Sequence, residues 1–168
     1  MFTVALILLA RAIHILGGVI WAGSTFLLTW VIFPIGARHA ADGAGRWVGM
    51  IARKAGPVSG VSALLTIVSG IYLMAVIHPG DRSTGGLVLQ AGAVAAVVSF
   101  FVGFFFGRPA GQKLLQLAAQ QSSTPSSAEL AQREGLRKRA AVSSIVTATL
   151  LALAVLAMAT FRYVQALS

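Results

Sequence analysis

Four stretches of this chain, 4–33, 57–77, 87–107 and 141–161, are apolar over about the 20 residues that carry a helix across a bilayer, and they account for most of its 168 residues. In lipid the backbone has to satisfy its own hydrogen bonds, which helices do segment by segment. The expected fold is therefore all-α: an integral membrane four-helix bundle, with residues 1–168 forming a single four-span domain. Composition agrees, at 57% hydrophobic and 10% charged residues. Cysteine is absent, which excludes disulfides, iron–sulfur clusters, thiolate haem ligation and cysteine nucleophiles. The acids Asp42, Asp81, Glu129 and Glu134 all lie between the apolar stretches, so no carboxylate stands ready to complete a hydrolytic set.

The formal charge of +9 is unevenly distributed. Ten of the thirteen basic residues fall between spans one and two (Arg38, Arg46, Arg53, Lys54) or between spans three and four (Arg108, Lys113, Arg133, Arg137, Lys138, Arg139). By the positive-inside rule those two loops face the cytoplasm, and both termini and the loop containing Arg82 face outward. The basic excess is thus a topology signal, with anionic lipid as a secondary contact. No nucleic-acid motif accompanies it. The opening MFTVALILLA has no basic region and no small-residue cleavage site, so no removable signal peptide is expected. The expected setting is a cytoplasmic membrane, multi-pass, with the lipid bilayer as first partner.

Span one holds the two ionisable residues found inside an apolar run. Arg11, His14, Gly18, Trp21, Thr25 and Leu28 recur at spacings of three and four and share one helix face. Gly17 and Gly18 follow His14 closely, and their missing side chains leave room for a flat ligand or for another backbone. Two readings stand: His14 as a ligand or proton carrier, and His14 as a hydrogen bond across a tight helix contact. Val4 to Phe33 is longer than the hydrocarbon layer, so the helix must tilt or protrude, and Pro34 should end or kink it.

In span two, Gly56, Gly60, Ala63 and Gly70 form a small-residue face, and Ser59, Ser62, Thr66 and Ser69 form a hydroxyl stripe. Bonding back to the preceding turn accounts for the stripe, and a polar wall facing a cofactor or proton path is the alternative. Met74 could offer sulfur to haem iron or copper. His78, in the turn IHPGDRSTGG, is placed on the same side of the membrane as His14. Trp47 and Met50 suggest a short interfacial helix in the first loop, where His39 is a surface residue. Span three opens with Gln90 and closes on FFVGFFFGRP, with Pro109 a kink candidate. The third loop should continue both flanking helices as an extended cytoplasmic helical hairpin, turning at SSTPSS, with Ser126 and Glu129 as a capping box. Span four looks structural, and no repeat stands out between the halves.

The run RAIHILGGVIWAG in span one, and more weakly TIVSGIYLM in span two, resembles small bacterial membrane proteins of the copper-resistance D type and the related HemJ-type protoporphyrinogen oxidases. The resemblance covers the first two-thirds of the chain. The HemJ-type likeness implies a four-helix bundle holding haem b near the outer half, with the span-one histidine, here His14, as a ligand. Where those proteins carry a lysine early in span three, this chain has Gln90. The copper-type likeness implies copper handling instead.

The expected function is a haem-b-binding membrane protein acting in electron transfer or oxidation near the outer face. His14 would be an iron ligand and Arg11 would pair with a propionate. Gly17, Gly18 and Trp21 would flank the porphyrin, and the second ligand would be His78, Met74, Gln90 or water. The alternatives are haem-free copper or small-solute homeostasis, and a structural or assembly subunit. A homo-oligomer and a quinone or redox-protein partner are compatible with these readings.

Overall fold

The computed structural model describes residues 2–39, 42–119 and 126–167. Its elements are α1 (Phe2–Leu27), a π-helical turn (Leu28–Ile32), α2 (Phe33–Arg38), α3 (Ala44–Ile77), α4 (Thr84–Val102), a second π-helical turn (Gly103–Gly107), α5 (Arg108–Ala119) and α6 (Ser127–Leu167). Four helical stretches are long and apolar enough to cross a membrane, which makes the chain a multi-pass membrane protein by length and composition.

Proline does not end either span. An internal proline removes an amide donor and crowds the carbonyl four residues back. Just before Pro34 the Phe33 amide reaches past its usual acceptor to the Leu28 carbonyl. Just before Pro109 the Arg108 amide does the same to Gly103. Each π-turn takes up the misfit, and the helix runs on to Arg38 or Ala119. The short helix expected around Trp47 is likewise no separate element, because α3 runs unbroken from Ala44 through Pro57 to Ile77. At 1.5 Å per residue α3 is about 50 Å long, well beyond the hydrocarbon thickness of about 30 Å. The third loop is helical as expected: α5 lies against α6, with Arg133 Nη2 donating to the Leu117 carbonyl at 3.1 Å. Ser126 and Glu129 form the reciprocal capping box, with the Ser126 amide 2.8 Å from Glu129 Oε2 and the Glu129 amide 3.3 Å from Ser126 Oγ. Most of the SSTPSS turn lies outside the described residues.

The spans assemble as two antiparallel hairpins, α1 on α3 and α4 on α6. The chain therefore returns both termini to the end that carries the turn after Ile77, here the terminal end, and the basic loops share the opposite end. Small residues set both seams. A Cβ on Gly17 would stand 2.7 Å from Thr66 Oγ1, and one on Gly92 would stand 2.7 Å from the Ala157 Cβ. The register shift that carries Pro34 to Pro109 and one π-turn to the other also carries Gly17 to Gly92 and Ser24 to Ser99. The halves thus repeat one design that the sequence disguises.

Few contacts join the hairpins. Trp21, Ala63, Ala96, Leu151 and Ala154, drawn from all four spans, form the buried core, with Phe100 edge-on to Trp21 at 6.4 Å. Towards the basic end Thr29 Oγ1 and Ser144 Oγ meet at 2.6 Å. At the terminal end the His78 ring stands edge-on to Phe161. Larger apolar residues such as Val19, Val68 and Leu153 point outward while Thr29, Ser62, Thr66, Ser69, Ser99 and Thr147 point in. That arrangement suits a lipid surround, where burial of apolar surface drives nothing and close packing of small groups holds helices together.

Candidate functional site

His14 lies on the seam between α1 and α3, half-buried. Its ring sits over Gly70: a Cβ there would be 2.8 Å from His14 Cε1 and 3.1 Å from Nδ1. Any other residue at position 70 would lift the ring. Nδ1 stands 2.8 Å from the Thr66 backbone carbonyl. A carbonyl can only accept, so Nδ1 carries the proton and donates it. Nε2 is left with its lone pair and, among the described residues, with no hydrogen-bond partner. Ser69 Oγ donates to the Leu65 carbonyl at 2.5 Å and lies 3.5 Å from Nδ1, closing the ring in from the side. Thr66 in turn bonds its hydroxyl back to the Ser62 carbonyl at 2.7 Å. The hydroxyl stripe of span two therefore serves the helix contact and backs the histidine at once.

This arrangement is how proteins commonly hold a metal-binding imidazole: the remote N–H is tied to a carbonyl, which fixes the tautomer, aims the ring and makes the other nitrogen more basic. Spacing alone singled out His14 but not its partners. Gly70 and the Thr66 carbonyl become part of the site only through the register of α1 on α3, and a slip of one turn would have placed His14 elsewhere.

The other predicted residues are dispersed. Arg11 is exposed one turn towards the terminal end and, among the described residues, forms no ion pair. Gly17 is filled by Thr66, whereas Gly18 meets only the Thr66 methyl at 3.7 Å and keeps free space. Trp21 is buried in the central core. Met74 stands one turn beyond Gly70 on α3, and His78 two turns beyond, about 12 Å along the axis. Two nitrogens bound to one metal through bonds of about 2 Å stand about 4 Å apart. His14 and His78 thus do not share an ion in this geometry.

His78 and Gln90 belong instead to the turn at the terminal end. His78 Nδ1 faces Asp81 Oδ2 at 3.7 Å, and Gln90 Nε2 donates to the Asp81 carbonyl at 2.7 Å. Asp81 Oδ1 accepts from the Ser83 amide at 2.9 Å, and Ser83 Oγ caps α4 by accepting from the Gly86 amide. The Ser83 hydroxyl and amide, with a smaller contribution from His78, hold the Asp81 carboxyl below its ordinary value of 3.8. His39 pairs with Asp42 at the surface of the first loop. Among the described residues no three His, Asp or Glu side chains gather into a metal-binding group. Beside the site, an open apolar groove of about 350 Å³ runs along the seam from Leu6 and Ala10 to Tyr72, with Ser69 in its wall.

The chain was compared with known families, curated proteins and solved structures, and no family, no curated protein and no solved structure matches it.

Proposed function

We propose that this chain is a haem-b-binding integral membrane protein of the bacterial inner membrane, acting in electron transfer or oxidation at the end of the bundle that carries the termini, which faces outward. The observation that carries the reading is the hydrogen bond from His14 Nδ1 to the Thr66 carbonyl, which leaves Nε2 as an unshared donor. The donor set fits one strong nitrogen ligand to iron, His14. A further ligand would be Met74 or water, since Gln90 is bonded to the turn at Asp81 and His78 lies about 12 Å along α3 from the glycine under His14. Bound haem would supply a one-electron iron centre that the protein tunes.

The chain's own residues divide the remaining work. Thr66 fixes the His14 tautomer and Gly70 provides the flat seat for its ring. Gly18 leaves space on the same face. Arg11, one turn nearer the terminal end, offers a cation to acidic substituents of a ligand. The core around Trp21 and Leu151 closes the bundle below the site. The concentration of basic residues in the first and third loops supports the orientation. Haem-free copper handling has one specific support, the soft sulfur of Met74 one turn from the glycine under His14.

Hemin titration of the detergent-purified protein tests the reading. Wild type and His78→Ala should bind one equivalent with the same affinity, and His14→Ala should lose saturable binding. Equal binding by wild type and His14→Ala would overturn it. Copper binding in place of hemin would favour the second reading.

A further inference from the structure

Thr147 is only 8% exposed, and its hydroxyl is buried without a hydrogen bond to any described group. That is unusual for this chain. Thr25, Thr66 and Thr160 each bond back to the carbonyl four residues earlier, at 2.7 to 2.8 Å. Thr147 leaves the Ser143 carbonyl alone and turns towards Gly103, where a Cβ would lie 3.6 Å from its Oγ1. A buried hydroxyl without a partner is costly, so a group placed this way normally has one.

The surroundings are polar. Ser99 Oγ donates to the Thr147 carbonyl at 3.2 Å, Ser143 Oγ donates to the Val102 carbonyl at 3.3 Å, and Thr29 pairs with Ser144 within a turn of Thr147. Both π-turns lie at this level. Because the Phe33 and Arg108 amides go to Leu28 and Gly103, the Thr29 and Phe104 carbonyls lose their α-helical donors. The layer is therefore rich in acceptors, and each hydroxyl retains unused hydrogen-bonding capacity. It is also uncharged. Asp42, Asp81, Glu129 and Glu134 all lie away from these segments, so a cation would have no counter-charge at this depth.

We infer that this layer binds water, with at least one molecule hydrogen-bonded to Thr147 Oγ1 between the two π-turns. A water both donates and accepts, which matches an orphan hydroxyl in a layer that also holds freed carbonyls. The core around Trp21 separates this layer from His14, so the site stands independently of the haem reading.

Protein carrying ¹³C-labelled threonine methyl groups tests it by magnetisation transfer from water, with the Thr147 signal assigned by its loss in Thr147→Val. The Thr147 methyl should receive magnetisation from a long-lived water. Thr147→Val, which keeps the shape and removes the hydroxyl, should lower Tm by about 2–6 °C, and Thr147→Ser should lie closer to wild type. A Thr147 methyl with no water contact overturns the inference whatever the variants do. So does a valine variant at least as stable as wild type, the outcome for a dry orphan hydroxyl.

Discussion

Replacing Gly70 with alanine should have opposite effects depending on whether residue 14 is histidine. In wild type the new Cβ would lie 2.8 Å from His14 Cε1 and 3.1 Å from Nδ1, closer than carbon atoms pack. The ring must move, and the 2.8 Å bond from Nδ1 to the Thr66 carbonyl stretches or breaks. Overpacking of this kind costs about 1–3 kcal/mol, and the lost hydrogen bond about 0.5–1.5 kcal/mol. Against this, alanine is better than glycine inside a helix by about 1 kcal/mol. The net result in wild type is a destabilisation of about 1–3 kcal/mol. In a His14→Ala background no ring stands above position 70, only the helix preference remains, and Gly70→Ala should be neutral or stabilising by up to about 1 kcal/mol. Thermal or denaturant unfolding of the four proteins in one detergent gives the coupling directly. Equal effects of Gly70→Ala in both backgrounds would refute the claim that position 70 is glycine because of His14.

Gly17→Ala should weaken the α1–α3 seam, because its Cβ would meet Thr66 Oγ1 at 2.7 Å and the Ser62 carbonyl at 3.1 Å, while Gly23→Ala, with nothing within 4 Å, should be harmless; unfolding midpoints compare the two. Gly92→Ala should do the same to the α4–α6 seam, where the Ala154 carbonyl stands 3.3 Å from the added carbon, at a cost of about 1–3 kcal/mol by the same unfolding measurement. Asp81 sets an acid limit on the turn after Ile77. Its carboxyl titrates below 3.8, so its contribution is complete above that value and fades as pH falls through the lower folded value. Protection of the Ser83 amide, its exchange measured against the intrinsic rate at each pH, should therefore fall in acid in wild type, and Asp81→Asn should abolish that fall.

How far the sequence discloses this molecule depends on what each feature requires. The spans are legible because about 20 apolar residues in lipid permit little but a helix. Their ends are less so. Ala44 to Gly56 reads as a basic loop with a short interfacial helix at Trp47 and Met50, yet it is the start of α3, where Gly36 closes on Val48 and Gly49 on Leu115. Those contacts exist only once the helices are side by side. Pro34 reads as an end or a kink and Pro109 as a kink, because nothing local announces that a π-turn will absorb them. Between 17–36 and 92–111 the repeat rests on six identities, Gly17 and Gly92, Val19 and Val94, Ser24 and Ser99, Phe26 and Phe101, Pro34 and Pro109, Gly36 and Gly111, residue types common enough in spans that they do not stand out before the π-turns align them.

The site shows the same division. His14 and Arg11 are visible as ionisable residues in an apolar run, whatever the packing. Gly17 looked like room for a flat ligand and is instead where Thr66 packs, while the vacant surface that matters to the ring is Gly70 on the facing helix. Gln90, His78 and Met74 share the terminal half of the bundle by topology, but a hydrogen bond ties Gln90 to the Asp81 carbonyl and His78 faces the Asp81 carboxylate at 3.7 Å, both within the turn. Which residues occupy one end can be read from the order of spans. Which atoms meet depends on a helix register that no single span encodes.

The central claim, that His14 Nε2 holds a haem, is tested most directly by the optical spectrum of the detergent-purified protein, oxidised and then dithionite-reduced, beside His14→Ala. Wild type should show a Soret band that sharpens into b-type bands on reduction, and the variant should lose or shift it. A colourless wild type from cells supplied with ample haem, or a spectrum unchanged by removal of His14, would contradict it.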